Sequence, residues 1–179
     1  MPRRDRWKRP VRVVLGFAVG LALWLGLIGV YRSWLAIPAE GILRLTESPA
    51  VTTLRDHEDP SMTIVDREDF PPQSPRPVLR LRELTFNVIF LLALFGLVPL
   101  TDRNVAALAG SLAILWISHV AFMIVQVKRI YALQLGAWSE ANYGSFARNL
   151  WGVLDQFYSV VGAFAIPFAA WWLLSRRDR

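Results

Sequence analysis

Four apolar blocks of membrane length constrain this chain more than any other feature. Val13 to Tyr31 runs 19 residues without a charge, and Leu84 to Leu100 runs 17, broken only by Thr85 and Asn87. Val105 to Val127 runs 23 with one ionisable group, His119, and Leu150 to Leu174 runs 25 with one, Asp155. About 20 apolar residues in a helix cross the roughly 30 Å of hydrocarbon in a bilayer. In lipid the backbone must satisfy its own hydrogen bonds, so runs of this kind are helical. The predicted class is an all-α integral membrane protein, a four-transmembrane-helix bundle whose solvent is the lipid bilayer. A small β-rich extracytoplasmic segment sits between helices 1 and 2.

The remaining composition fits that class. Of 179 residues 54% are hydrophobic and only 19% charged, with a mean hydropathy of +0.36, which excludes an ordinary soluble domain. Cysteine is absent, which removes thiol chemistry, thiolate metal sites and disulfides. With two histidines, no metal centre and no cofactor are expected. The net charge of +6 would suggest nucleic acid in a soluble protein, but here the basic residues flank apolar runs and no aromatics interleave with them. They read as membrane anchors, so no nucleic-acid partner is expected.

Their placement predicts the topology. Residues 1–12 hold six Arg or Lys against Asp5, and the chain ends Arg176-Arg177-Asp178-Arg179. The stretch from Leu35 to Glu83 instead holds six Arg against nine acids. The positive-inside rule then puts both termini in the cytoplasm of a bacterial inner membrane. The expected order is a basic tail (1–12), helix 1 (13–35), the β-rich segment (36–83), helix 2 (84–100) and a cytoplasmic turn (101–104). Helix 3 (105–127), an extracytoplasmic interfacial loop (128–149), helix 4 (150–174) and a short tail (175–179) follow. Block one is too long for a signal-peptide core and lacks a clean cleavage motif, so it reads as a retained helix with a Tyr31/Trp34 interfacial belt.

Within 36–83, Ala39 to Glu47 either continues the first helix or forms a short one after Pro38. Val51–Arg55, Met62–Asp66 and Val78–Arg82 carry β-branched or alternating patterns, separated by Pro60-Ser61 and by the proline-rich run after Phe70. They predict a three-stranded meander, too small to form its own core. The aromatic-punctuated 128–149 loop predicts a partly helical interfacial segment.

The polar residues inside the blocks are the candidate site. Asn87 lies about one turn into helix 2. His119 lies ~10 Å and Asp155 ~7 Å from the outer ends of their helices at 1.5 Å per residue. All three fall in the outer leaflet. His119 shares a face with Gln126, and Asp155 with Tyr158. Buried ionisable groups in membranes face the bundle and find partners. Asn87, His119, Gln126, Asp155 and Tyr158 therefore predict a polar cleft open to the outside that holds a partner segment or a small ligand. The plainer reading is an intramembrane pair, Asp155 with His119 or a loop Arg, that locks the helices. No catalytic residue is assigned: a His–Asp pair without a nucleophile in matching geometry is not a hydrolase, and Ser118, next to His119, points elsewhere. Gly16 and Gly20 form a GxxxG spacing that suits close helix packing.

The layout resembles the exosortase H-associated membrane protein family. The resemblance rests on Leu81-Arg82-Glu83-Leu84-Thr85-Phe86-Asn87 leading into helix 2, on Ser118-His119-Val120 running to Gln126-Val127-Lys128, and on Leu154-Asp155-Gln156-Phe157-Tyr158 leading to Ala165-Ile166-Pro167. It implies a non-enzymatic accessory that sits beside an exosortase-like protease and contacts it, or its substrates' C-terminal sorting signals, on the extracytoplasmic side. The alternative is a small integral subunit of a secondary transporter, of the TRAP type, although a long outer segment suits that reading poorly. A lesser, enzymatic reading would use His119 and Asp155 as an acid–base pair.

Overall fold

A computed structural model describes residues 8–70, 76–99 and 101–175. The expected proline-rich link at 71–75, most of the basic N-terminal tail and the last four residues lie outside them. The chain is mostly helical. It runs α1 (Lys8–Thr46), β1 (Thr52–Asp56), β2 (Met62–Arg67), β3 (Val78–Arg80), α2 (Leu81–Thr85), α3 (Asn87–Phe95), α4 (Asp102–Leu133), α5 (Ala137–Asn142), α6 (Ser145–Phe157), a wide π turn (Tyr158–Gly162) and α7 (Ala163–Ser175). Among the described residues, three stretches are helical, long and apolar enough to cross a membrane: Pro10–Thr46, Asp102–Leu133 and Ser145–Ser175.

The second apolar block is not one of them. It folds as two short helices, α2 and α3, that meet at Phe86. Gly96 closes α3, and Pro99 forbids its extension because it disfavours helical backbone at Val98. Thr101 then caps α4, its Oγ1 accepting from the Asn104 N–H at 3.3 Å, with Asp102 in the positive first turn.

Although short, α2 and α3 run alongside α1 in the opposite direction. At one end the Trp24 indole N–H donates to Thr85 Oγ1 at 2.9 Å. Further along, a Cβ at Gly16 would fall 2.7 Å from the Leu92 carbonyl oxygen, and one at Gly20 would fall 3.2 Å from Ile89 Cα. At the far end a Cβ on Gly96 would fall 2.5 Å from the Arg12 carbonyl oxygen. The backbones touch along this seam, and hydrogen at the α-carbon is what permits it.

α1 is one rod. It continues past residue 35 and through Pro38 to Thr46, 39 residues in all, or about 58 Å at 1.5 Å per residue. Pro38 removes the N–H that would bond the Trp34 carbonyl, yet the helix holds because packing fixes it on both sides. Leu35, Ala39 and Leu43, four apart, are fully buried on one face of its second half. That face meets the three-stranded antiparallel sheet, ordered β1-β2-β3.

The pleat of the sheet explains how it docks. Thr52 pairs with Arg67, Leu54 with Val65, and Thr63 with Leu79. Cross-strand partners share a face, so these six side chains point the same way. Val65 and Leu79 bury against the helices, with Phe70 and Leu81 beside them. Arg55 and Asp66 lie on the opposite face and pair at 3.1 Å. β3 ends at Arg80, two residues before the expected end, because Leu81–Thr85 turns helical.

α4 also overruns its expected end, reaching Leu133. Ala107, Ser111, Leu115, His119, Met123, Val127 and Tyr131 are buried at every fourth position along it. Four residues turn about 400°, so this stripe advances ~40° per step and winds round the helix. Its lower part packs with Leu91 and Phe95 of α3, and its upper part with α1 and the sheet. α6, the π turn and α7 run antiparallel to α4: Leu133 meets Gly152, Ser118 meets Tyr158, and Gly110 meets Leu174.

Candidate functional site

Helix heights and the winding of α4 sort the polar residues into three groups rather than one cleft. The first is a chain of hydrogen bonds in the dry centre. α3 begins at Asn87, beside the middle of α4, and α1 passes on the other side. His119 is wholly buried between them. Its Nδ1 lies 2.7 Å from the Tyr31 hydroxyl and its Nε2 lies 2.7 Å from Asn87 Oδ1. A carbonyl oxygen can only accept, so Nε2 carries the proton and the Tyr31 hydroxyl donates to Nδ1. Both ring nitrogens are committed, and the Tyr31 ring meets the imidazole edge-on with centroids 5.9 Å apart. Asn87 Nδ2 has no well-aligned partner among the described residues, although the Tyr158 hydroxyl is close enough to interact with it.

The second group lines a lateral cleft of about 280 Å³ beneath the sheet. Its floor is the stretch of α4 that carries Phe122, Gln126, Arg129 and Ile130; β3 and α2 form one wall and Ser159 marks the other. Asp155 sits beside it. One carboxylate oxygen accepts from the Gln126 side-chain amide and the other from Arg129 Nε at 3.0 Å. Tyr158 stacks on Phe122, with centroids 3.8 Å apart and planes at 16°. The π turn sets this position by inserting one residue into the helical repeat just above Pro167.

The third group joins sheet to helices. Glu47, just past the end of α1, accepts from Lys128 Nζ at 2.7 Å and lies 3.5 Å from Arg67 Nη1. Its other oxygen accepts from the Thr52 hydroxyl at 2.5 Å, and Thr52 Oγ1 lies 2.9 Å from the Tyr131 hydroxyl. Arg67 reaches Asp69 with two bonds, at 2.8 and 3.0 Å, and its guanidinium lies over Tyr131 at 4.9 Å and Trp138 at 5.3 Å. The Glu47 side chain is 5% exposed, Arg67 9% and Lys128 12%, so these charges are buried and mutually neutralised. The Arg67 side chain, donating to Asp69, holds that carboxyl below the usual carboxylate range. Burial pushes the neighbouring Tyr143 hydroxyl up.

Of the residues singled out from sequence, Asn87 and His119 come together with each other, and Gln126, Asp155 and Tyr158 meet around the cleft. Of the two partners that the plainer sequence reading offers Asp155, His119 or a loop Arg, the structure places Arg129, from the expected 128–149 loop, together with Gln126. Gly16 and Gly20 lie on the α1–α3 seam. Sequence reasoning missed Tyr31, read only as an interfacial belt residue. It also missed Glu47 and Arg67, which carry the sheet junction. The available signal for Arg67 was its position on the apolar face of β2, two residues from Val65. Among the described residues no group of His, Asp and Glu could hold a metal ion.

Compared with protein-family models, with curated proteins and with solved structures, the chain gives no match.

Proposed function

We propose that this chain is a non-enzymatic accessory protein of a bacterial inner membrane, with four passages through the bilayer and its sheet end on the extracytoplasmic side. There it contacts a membrane-embedded, exosortase-like protease or the C-terminal sorting signals of that protease's substrates. The observation that carries the docking role is the build of the sheet end. A buried ionic junction, Glu47 with Lys128 and Arg67, fixes a small sheet rigidly to two long helices, and a cleft lined by both polar and apolar side chains opens beside it. A rigid platform next to a lateral opening suits holding a segment of another protein as it leaves the membrane.

Several features support the finer points. The seam from Trp24–Thr85 to Arg12–Gly96 carries α2 and α3 along most of the apolar length of α1, which favours a fourth passage despite the short helices. Arg12 and Arg103 lie at the end away from the sheet, as the positive-inside rule asks of a cytoplasmic end. Both nitrogens of His119 are engaged, which weighs against its use as an acid or base. The assignment to a sorting system rests on the sequence resemblance alone. A transporter subunit would have less use for an ordered sheet locked to its helices.

The test is co-purification from native membranes in mild detergent with a tagged chain. Recovery of a membrane-embedded protease is the expected result. Its consistent absence, with the chain folded, defeats the sorting-system reading.

A further inference from the structure

The two edges of the sheet are treated differently. Val65 N–H donates to the Pro77 carbonyl at 2.8 Å and Leu81 N–H to the Ser61 carbonyl at 2.9 Å. In an antiparallel ladder these bonds fix Pro77, Leu79 and Leu81 as the residues whose backbone turns toward β2. Val78 and Arg80 lie at the intervening positions, so the Val78 N–H and C=O and the Arg80 N–H point away from β2. No described residue bonds to these three groups. On the opposite edge the outward N–H of the central residue is covered: Leu54 N–H donates to Glu40 Oε2 of α1 at 2.8 Å.

Shortness and charge are devices that keep an edge strand from pairing at random, and β3 with Arg80 has both. Both edges border a hollow, but in the one beside β1 Glu40 already takes the Leu54 N–H, whereas the one beside β3 leaves its outward backbone groups open. The same 280 Å³ cleft that Gln126 and Arg129 line has β3 as its wall, with Leu79, Leu84, Phe122 and Ile130 apolar at its base. Unpaired backbone donors and an acceptor beside a lining of mixed apolar and polar side chains match one kind of occupant, an extended polypeptide. We infer that the cleft binds an extended segment of a partner protein, which adds to the sheet as a fourth strand along β3. One side chain of that segment is apolar and turns down toward Phe122 and Ile130. Its neighbours on either side are polar and turn outward, on the face that carries Arg80. This inference rests on the docking reading above and supplies its geometry.

The test uses the full chain in nanodiscs of phosphatidylethanolamine and phosphatidylglycerol. The probe is a displayed library of random peptides of about seven residues, long enough to overreach the three of β3 at about 3.3 Å per residue. Val78→Pro removes an outward N–H and leaves every bond to β2, a change that an edge position accepts. Val78→Ala keeps the N–H. Peptides that alternate apolar and polar residues are expected to enrich. They are expected to lose about tenfold in affinity with Val78→Pro, the weight of one backbone hydrogen bond, and little with Val78→Ala. In the free chain the Val78 and Arg80 amides are expected to exchange with solvent faster than those of Leu79 and Leu81, and to slow when peptide binds.

Lack of enrichment, binding that ignores Val78→Pro, or binding lost only with Arg129→Gln overturns strand addition; the last would mark a side-chain or headgroup site. Thermal unfolding of Val78→Pro at the wild-type temperature shows that the variant is folded. If a protease co-purifies equally with Val78→Pro, strand addition fails and the accessory role stands. If peptides bind through β3 but no protease co-purifies, the reverse holds.

Discussion

Lys128 Nζ and Glu47 Oε1 lie 2.7 Å apart although 81 residues separate them in the chain, and this pair joins the end of α1 to the upper part of α4. Arg67 adds a second cation from the sheet, so one buried carboxylate serves three elements. Removing one partner of a buried ion pair leaves the others uncompensated, at about 3–5 kcal/mol. Glu47→Ala is therefore expected to destabilise the chain by about that amount. Thermal unfolding in detergent checks it, with circular dichroism to show loss of the sheet before the helices.

Asp69 gives the same junction a pH limit. Arg67 donates two bonds to it, which lowers its folded pKa. The stabilisation is thus complete above the unfolded value, about 3.9, and is lost as pH falls through the folded value below it. Unfolding temperature is expected to drop below about pH 4 in the wild type. Asp69→Asn should start lower and show a weaker drop, and no change in slope between the two would contradict this account.

The central hydrogen-bond chain predicts a structural role for His119. His119→Ala leaves the Tyr31 hydroxyl and Asn87 Oδ1 without their partner in a dry interior, at about 1–3 kcal/mol for each group left unsatisfied. A loss of stability in that range is expected, with partner co-purification retained once the variant is kept folded at low temperature. Unchanged stability would show that the chain of bonds does not hold the helices.

Glycines on α1 offer an internal comparison. Gly16→Ala puts a Cβ 2.7 Å from the Leu92 carbonyl oxygen, whereas Gly26→Ala puts one where nothing lies within 4 Å. The first is expected to destabilise by about 1–3 kcal/mol through forced separation of backbones, and the second to be neutral. Equal effects of the two would remove the α1–α3 seam from the account.

The absence of native cysteine makes topology directly measurable, since any introduced thiol is unique. Glu58→Cys and Glu140→Cys are expected to react with an impermeant maleimide from the extracytoplasmic side of intact cells. Asp102→Cys should react only after permeabilisation. Labelling of position 102 from the same side as 58 would show that α2 and α3 do not carry the chain across.

Period and block length made much of this architecture legible in the sequence. Alternation in Met62–Asp66 marked β2, and the long apolar runs marked α1, α4 and the last helix. Other features depended on what lies beside a residue. Pro38 is a breaking signal locally, but Leu35, Ala39 and Leu43 bury a continuous face across it, and packing overrides the signal. Leu84 to Leu100 has the composition of a span, but Phe86 and Gly96 bound a helix of nine residues within it. His119 and Gln126, seven apart, do point in nearly the same direction. That direction meets Asn87 at the level of His119 and the open cleft at the level of Gln126, so one helix face serves two different sites.

The unbroken length of α1 ties the two solvents together mechanically. Some 33 residues separate Val13 from Thr46, an arm of roughly 50 Å with no joint in it, and the sheet lies along its outer part, from Arg32 beside Asp56 to Glu47 beside Thr52. Helices adjust to bilayer thickness by tilting, and a lean of about 10° at the foot of such an arm carries its tip some 8 Å sideways. The position of β3 over the membrane surface is thereby geared to the thickness of the lipid around Val13 to Tyr31, and a change of host bilayer would move the platform without altering a single contact within it.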